Sequence, residues 1–280
     1  MGELPKRIAT GLVLVAAAIA ALWAGGTAFA ALASLAVLLM WAEWTAMHRM
    51  ALLPRRVGLA VLGGAMVLMW IGDWFSALWL LAGAAGTGGI FFFMLRQPLP
   101  VGAGRSPKAR YRSGLDRPFL IGLLYCGLPG IALIWLRGQG WGLYATLLLM
   151  LVVWGADIAA YFTGRAVGGP KLAPAISPNK TWSGAIGGLV GALLGACLLA
   201  LIWPGYANAA GLMRLALLAL PLAVVSILGD LYESWLKRRC GVKDSGSILP
   251  GHGGVMDRLD GLVPVAVAGA GIFVVTGWAG

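Results

Sequence analysis

Residues 141–162 read WGLYATLLLMLVVWGADIAAYF, an apolar run interrupted by one charged residue, Asp157. A helix that crosses the hydrocarbon layer of a membrane needs about 20 mostly apolar residues, and this run has that length. An ionisable group at membrane depth costs about 2.5–3.5 kcal/mol even on lenient insertion scales, so it is a functional candidate wherever it occurs. The stretch therefore predicts a membrane-spanning helix that carries chemistry near one end.

The rest of the chain has the same apolar character. Of its 280 residues, 60% are hydrophobic and 11% are charged, whereas a soluble domain carries about 25% charged residues. Apolar runs long enough to cross a membrane occupy residues 8–25, 27–46, 56–72, 74–95, 119–136, 141–162, 184–203, 211–231 and 262–279. We therefore predict an all-α, polytopic integral membrane protein with about nine transmembrane helices. The first run exceeds the usual apolar region of a signal peptide, which favours a retained span.

The distribution of Lys and Arg indicates how these helices are oriented. If the N-terminus is cytoplasmic, 19 of the 21 cationic residues fall on the cytoplasmic side, and Arg137 and Arg214 fall on the other. Positive charge collects on the cytoplasmic side of membrane proteins. The pattern predicts a cytoplasmic N-terminus and an external C-terminus. It also explains the net charge of +11 without a nucleic-acid partner.

Two regions follow from this arrangement. Residues 1–118 form an N-terminal transmembrane region of about four spans, which ends in the basic, Pro/Gly-rich segment 96–118. That segment is expected to be a cytoplasmic loop, which either contacts anionic lipid headgroups or only fixes the topology. Residues 119–280 form a C-terminal region of about five spans, with cytoplasmic loops at 163–183 and 230–261.

Acidic residues concentrate in the second of these loops. From residue 229 the chain reads GDLYESWLKRRCGVKDSGSILPGHGGVMDRLDG. In helical spacing Asp230, Glu233 and Lys237 share one face, and Asp257 and Asp260 share another. Basic residues and one more acid lie between or beside them: Arg238, Lys243, Asp244 and Arg258. Because Mg²⁺ prefers carboxylates together with substrate phosphate oxygens, this pattern predicts a site for a divalent cation and a polyphosphate.

A glycine-rich turn, PGHGG at residues 250–254, separates the two acidic faces. Glycine adopts backbone angles that other residues avoid, and successive backbone amides form concavities that bind anions. The amides of Gly253 and Gly254 are therefore candidate phosphate ligands. His252 either binds phosphate through its ring or only shapes the turn.

A second polar stretch lies between the sixth and seventh runs, on the same predicted side of the membrane. Its candidate binding residues are Asp157, Arg165, Ser177, Asn179, Lys180 and Thr181. Lys180 offers a point charge to phosphate, and the hydroxyl groups offer hydrogen bonds. We expect the two polar stretches to meet in one site, although the glycines here could simply end a helix and the cations could only set the topology.

The motifs together carry a family resemblance. Residues 234–260, SWLKRRCGVKDSGSILPGHGGVMDRLD, resemble the signature of phosphatidate cytidylyltransferases, and the stretch from Asp157 to Thr181 is similar to a second motif of that family. The resemblance is sharp over about residues 154–261. One departure is Asn179, where the family often has Lys.

The resemblance implies a reaction and a set of roles. It implies a homodimeric inner-membrane enzyme that joins CTP to phosphatidic acid with Mg²⁺, and with K⁺ as a candidate second cation. It implies that Asp230 and Asp257 bind the metal, with Glu233, Asp244 and Asp260 as weaker candidates. Cationic side chains would hold the triphosphate or the lipid phosphate, and polar side chains would orient the nucleotide: Lys180, Lys237, Arg238 and Lys243 in the first group, Ser177 and Asn179 in the second.

Two alternatives stay open. A membrane transporter fits nine spans with a polar site near one face, although the chain shows no internal repeat of the kind many transporters have. A CTP-dependent transferase that acts on another lipid phosphate fits the same signature, because the signature does not specify the lipid tails.

Overall fold

The computed structural model describes residues 3–94, 116–203 and 205–276 of the chain, so most of the basic segment 96–118 lies outside the described residues. The helices are α1 (Glu3–Ala24), α2 (Gly26–Met47), α3 (Leu52–Trp70), α4 (Trp74–Met94), α5 (Asp116–Arg137), α6 (Gly142–Val167), α7 (Trp182–Ile202), α8 (Ala209–Cys240), α9 (Met256–Leu259) and α10 (Leu262–Thr276). Two short strands, β1 (Lys171–Ala173) and β2 (Ser177–Thr181), form an antiparallel hairpin between α6 and α7. The regular secondary structure of the described residues is therefore helical except for this hairpin, which the all-α prediction did not include.

Each long helix overlaps one of the predicted apolar runs. Within the described ranges, α2, α3, α5, α6, α7 and α8 are long and apolar enough to cross a membrane. Among the described residues, the other three long helices contribute shorter apolar stretches, which are Ala9–Ala24, Trp74–Thr87 and Leu262–Thr276. The class of polytopic helical membrane protein is confirmed, and the count of nine spans and the side of each terminus stay predictions.

Two helices continue well past their apolar runs. At 1.5 Å per residue, α6 is about 39 Å long and α8 about 48 Å long, which exceeds the roughly 30 Å thickness of the hydrocarbon layer. Helix α6 ends at Val167, and α8 ends at Cys240, where Gly241 adopts a left-handed conformation (φ 73°). The prediction that loops begin at residues 163 and 230 is therefore wrong, because helical hydrogen bonding continues where hydropathy no longer requires it. Asp230, Glu233 and Lys237 consequently stand on a rigid helix.

Helices α6 and α7 pack with their backbones close together. A Cβ atom at Gly191 would collide with the carbonyl oxygen of Gly155, and one at Gly188 would lie 3.2 Å from that of Ala156. Small residues permit such approach in membranes, where packing rather than water exclusion holds helices together. The packing fixes Asp157 of α6 relative to the hairpin that precedes α7.

Replacing Gly191 by Ala is expected to lower the unfolding temperature of the detergent-solubilised protein. Overpacking costs about 1–3 kcal/mol, because the two backbones must separate to admit the methyl group. The matched control is Gly63→Ala in α3, where an added Cβ meets nothing within 4 Å and Ala has the higher helix propensity. Equal unfolding temperatures for the two variants would contradict the close packing of α6 and α7.

The hydrophobic core crosses the predicted boundary at residue 118. Trp41 and Trp44 of α2 are fully buried in one cluster with Leu236 of α8 and with Val255 and Met256 at the start of α9. The Trp44 indole also donates a hydrogen bond to the carbonyl of Pro118 at 2.8 Å. The two-region division stays a prediction, and the described parts of both regions share one core near the acidic residues.

Candidate functional site

The β-hairpin places one cation beside the acidic helix. Strand β2 ends at Thr181, whose buried hydroxyl accepts a hydrogen bond from the Gly184 amide at 3.1 Å and thereby caps the N-terminus of α7. Capping accounts for this hydroxyl, so its predicted contact with substrate stays a prediction. The preceding residue, Lys180, forms an ion pair with Asp230 of α8. The two polar stretches of the sequence therefore meet in space.

An acidic cavity of about 350 Å³ lies at this end of the helices. It is lined by Asp157, Asp230, Lys237, Asp244, Asp257, Arg258 and Asp260. The lining comes from α6, from α8, from the loop that follows α8, and from α9 with the residue after it. Residues separated by a hundred positions in sequence thus surround one space, as the sequence predicted.

Asp257 is the most extensively bonded side chain of the cavity. Its Oδ1 accepts a hydrogen bond from Lys237 Nζ at 2.6 Å, and its Oδ2 accepts bonds from the Gly254 amide at 2.8 Å and from the Ser245 amide at 2.9 Å. The Ser245 hydroxyl lies 3.0 Å from the same Oδ2. Burial alone raises the pKa of Asp257, but the bonds from Lys237, Gly254 and Ser245 outweigh it and hold the pKa below its ordinary value. Asp257 is therefore ionised at neutral pH.

These bonds change what can be expected of the glycine-rich turn. Gly251 and Gly253 adopt positive φ angles of 74° and 80°, which glycine tolerates. The amide of Gly254 donates to Asp257 rather than to open space. The hydrogen of this amide is already used in this arrangement, and its contact with phosphate stays a prediction.

Asp260 differs from Asp257 in its electrostatic surroundings. Burial, and after it the negative charge of Asp230, raise the pKa of Asp260 to about 7, against the opposing bond from the Gly261 amide. Two carboxyl groups that share a site disfavour ionising together. Asp230 and Asp260 therefore form an acidic pole of the cavity. A bound cation would stabilise the ionised form of both carboxyl groups.

Lys237 lies between two carboxyl groups. Its Nζ is 2.6 Å from Asp257 Oδ1 and 3.2 Å from Glu233 Oε1. The Glu233 side chain has no exposed surface and lies outside the cavity lining. Its predicted role as an outer metal ligand stays a prediction, and its observed contact is with the lysine.

The other predicted residues lie outside the cavity lining. Arg165 is exposed on the last turn of α6 and donates to the Tyr161 hydroxyl at 2.9 Å. His252 packs beside Gly11 of α1, and its carbonyl accepts a bond from Arg258 Nε at 3.1 Å, which favours a structural role for this histidine. The remaining side chains, none of which lines the cavity in the described residues, are Ser177 and Asn179 on β2, Arg238 at the end of α8, and Lys243 in the following loop.

Sequence reasoning missed Glu43, a residue of α2. This carboxyl group is 3% exposed and accepts hydrogen bonds from the loop and from the start of α9. Glu43 lies inside the predicted span 27–46, so the rule that singled out Asp157 would also have found it. Ser245, which lies between Glu43 and Asp257, carries no such signal, since an isolated serine in a polar loop is ordinary.

The cavity fits a metal ion that arrives with a phosphorylated ligand. Across residues 3–94, 116–203 and 205–276, no three His, Cys, Asp or Glu side chains are close enough together to hold a metal ion alone. Mg²⁺ is commonly bound by one or two carboxylates, substrate phosphates and water. Asp230, Asp257 and Asp260 all line the cavity and supply carboxyl groups of this kind.

Comparison with known proteins gives consistent relatives over nearly the whole chain. Residues 5–275 match the sequence model of the Cytidylyltransferase family. A phosphatidate cytidylyltransferase of Brucella suis is 41% identical over 271 residues, which cover 95% of this chain and 92% of the relative. The phosphatidate cytidylyltransferase of Haemophilus influenzae is 32% identical over 92% of this chain and 94% of its own length.

Proposed function

Because the chain belongs to the cytidylyltransferase family, we propose that its acidic cavity is where CTP and phosphatidic acid react. The enzyme transfers a cytidylyl group from CTP to phosphatidic acid and forms CDP-diacylglycerol and pyrophosphate. The observation that carries the placement is the convergence of Asp230, Lys237 and Asp257 on one cavity, with Lys180 ion-paired to Asp230.

The reaction needs little acid–base chemistry from the protein. An oxygen of the lipid phosphate attacks the α-phosphorus of CTP, a new P–O bond forms, and the bond to the β-phosphate oxygen breaks. A phosphomonoester loses its second proton with a pKa of about 6, so the nucleophile is already anionic near pH 7. The obstacles are repulsion between two anions and the charge that develops on pyrophosphate.

We assign the binding of these anions to the cations at the cavity. Arg258 and Lys237 line the cavity, and Lys237 is held there by Asp257. Lys180 is ion-paired with Asp230, which also lines it. Arg165, Arg238 and Lys243 are placed further out at the same end, where they would meet the triphosphate or the lipid headgroup. The exposed rim suits a ligand that enters from water, and the lipid tails would lie between the helices.

We assign Mg²⁺ to Asp230 and Asp257, with K⁺ as a candidate second cation. Both carboxyl groups border the cavity, and Asp157, Asp244 and Asp260 border it as well. When bound, the metal would neutralise phosphate charge and stabilise the leaving pyrophosphate. The protein's own contribution is to hold these carboxyl groups on α8 and α9 in fixed relation.

The placement in the membrane is also a proposal. Nine spans with a cytoplasmic N-terminus put the cavity on the cytoplasmic side, where the Lys and Arg residues collect. An inner-membrane location agrees with the bacterial relatives. A homodimer follows from the family resemblance, and the mass of the detergent-solubilised particle tests it.

Purified protein supplied with CTP labelled in the cytosine, phosphatidic acid and Mg²⁺ is expected to move label into the organic phase. Excess EDTA should lower the rate at least about 100-fold, since charge stabilisation by a metal contributes several kcal/mol, and added Mg²⁺ should restore it. EDTA already saturated with Mg²⁺ is the control for the chelator itself. Full activity in EDTA would exclude the divalent metal, and label in another lipid phosphate but not in phosphatidic acid would change the acceptor. Transport of an unaltered solute, with no labelled lipid, would contradict the transferase function and favour a transporter.

A further inference from the structure

We infer that Glu43 is a positioning residue for cytidylyl transfer, which acts by fixing the loop and helix that carry Asp257. The inference rests on the proposed function of the acidic cavity. Glu43 belongs to the N-terminal region, outside the motifs that carry the family resemblance, and it does not line the cavity.

Glu43 binds the start of α9 through the backbone. Its Oε1 accepts a hydrogen bond from the Val255 amide at 2.8 Å, and its Oε2 accepts one from the Met256 amide at 2.9 Å. These are the two residues immediately before Asp257. Because backbone amides of a first helical turn have no partner within the helix, an acceptor from α2 fixes both the position and the direction of this turn.

One hydroxyl links Glu43 to Asp257. Ser245 Oγ lies 3.0 Å from Glu43 Oε2 and 3.0 Å from Asp257 Oδ2. A hydroxyl has one hydrogen to donate, so the two carboxyl groups share it. A shift of Glu43 would therefore change the bonding of Asp257 directly, and not only through the loop backbone.

Two glycines of the loop, Gly246 and Gly254, lie against the Glu43 carboxyl group. A Cβ atom at Gly246 would lie 2.9 Å from Glu43 Oε1, and one at Gly254 would lie 2.5 Å from Oε2. Since real Cβ atoms do not approach so closely, side chains at either position would displace Glu43 or the loop. Glycine at both positions fits a loop built around the carboxyl group.

The Glu43→Gln variant isolates this role. Glutamine keeps the shape of the side chain but replaces one acceptor oxygen by an NH₂ donor. In either orientation of the amide, its NH₂ group faces a backbone N–H, that of Val255 or that of Met256. Two donors then face each other, and one hydrogen bond is lost. We expect the rate constant kcat to fall about 10–100-fold, because displacement of a catalytic group by about 1 Å costs rates of this size. The KM values for CTP and phosphatidic acid should change less than threefold.

Hydrogen exchange measures the positioning without relying on activity. In Glu43→Gln, amide exchange should accelerate in the peptide that contains residues 241–261 and should stay unchanged in peptides from α6 and α7. Thr45→Val is the matched control, because Thr45 is a buried polar residue of the same helix whose hydroxyl donates only locally, to the Ala42 carbonyl at 3.0 Å. Ser245→Ala serves if Glu43→Gln fails to fold, and it should reproduce the local acceleration and a smaller loss of kcat.

The outcomes separate the inference from its premise. Wild-type kcat in Glu43→Gln would overturn the positioning role, and so would faster exchange throughout the protein, which would indicate general destabilisation. If the wild type made no CDP-diacylglycerol while exchange rose locally in the variant, the proposed function would fail and the structural link between Glu43 and the loop would stand.

Discussion

Asp257→Asn lowers cytidylyl transfer by roughly 10²–10⁴-fold. This range follows because Asp257 is a proposed metal ligand, and charge stabilisation by a bound metal contributes several kcal/mol to the transition state. Each 1.36 kcal/mol of activation free energy corresponds to a factor of ten in rate. An asparagine NH₂ group must face Lys237 on one side or the amides of Ser245 and Gly254 on the other, and all of these are donors. Lys237 would also lose the nearer of its two carboxyl partners.

The measurement compares initial rates of labelled-lipid formation at saturating CTP and phosphatidic acid. Asp73→Asn is the matched control, since Asp73 lies at the turn between α3 and α4 and accepts a bond from the Ser76 amide at 3.0 Å. Asparagine caps a helix about as well as aspartate, so this variant should keep wild-type activity. A rate within a factor of three of the wild type in Asp257→Asn would remove Asp257 from the reaction.

Lys180→Gln lowers kcat/KM for CTP by roughly 10²–10³-fold, the usual cost of losing one donor to a developing oxyanion. Lys180 is the hairpin residue whose side chain contacts Asp230 of the acidic pole. Its side chain is partly exposed, so a ligand can contact it. Loss of its charge also leaves Asp230 without its ion-pair partner, which strengthens repulsion between Asp230 and Asp260.

Lys171→Gln controls for charge and for the hairpin. Lys171 is exposed on β1 opposite Thr181 in the strand register. The variant removes the same charge from the same hairpin without touching α8, so its kinetic constants should stay within a factor of two. Equal losses in the two variants would mean that the total charge of this end matters, and would contradict a specific role for Lys180.

Much of the site was predictable because membrane depth makes charge expensive. Asp157 and Asp230 were identified by that cost, and the spacing of Asp257 and Asp260 placed them together. The same rule applied to the second span would have added Glu43. Ser245 and the occupied amide of Gly254 were beyond sequence reasoning, since which donor meets which carboxyl group depends on how the loop returns against α2.

The helix ends show a similar division. Hydropathy located the apolar runs, and each long helix of the described residues overlaps one of them. It could not predict that α6 and α8 extend to Val167 and Cys240, because a helix satisfies its own backbone bonds in water as well as in lipid. The hairpin at Lys171–Thr181 was missed for a related reason, since two short polar strands leave no periodic signal.

The sequence by itself determined the class of the protein, its relatives and the residue types of the site, because these follow from composition, hydropathy and local spacing. Only the tertiary structure decided that Lys180 pairs with Asp230, that Lys237 is held between Glu233 and Asp257, and that a carboxyl group from α2 supports the start of α9. These contacts join residues up to about two hundred positions apart. They arise from the close packing of the helices, which local sequence patterns do not encode.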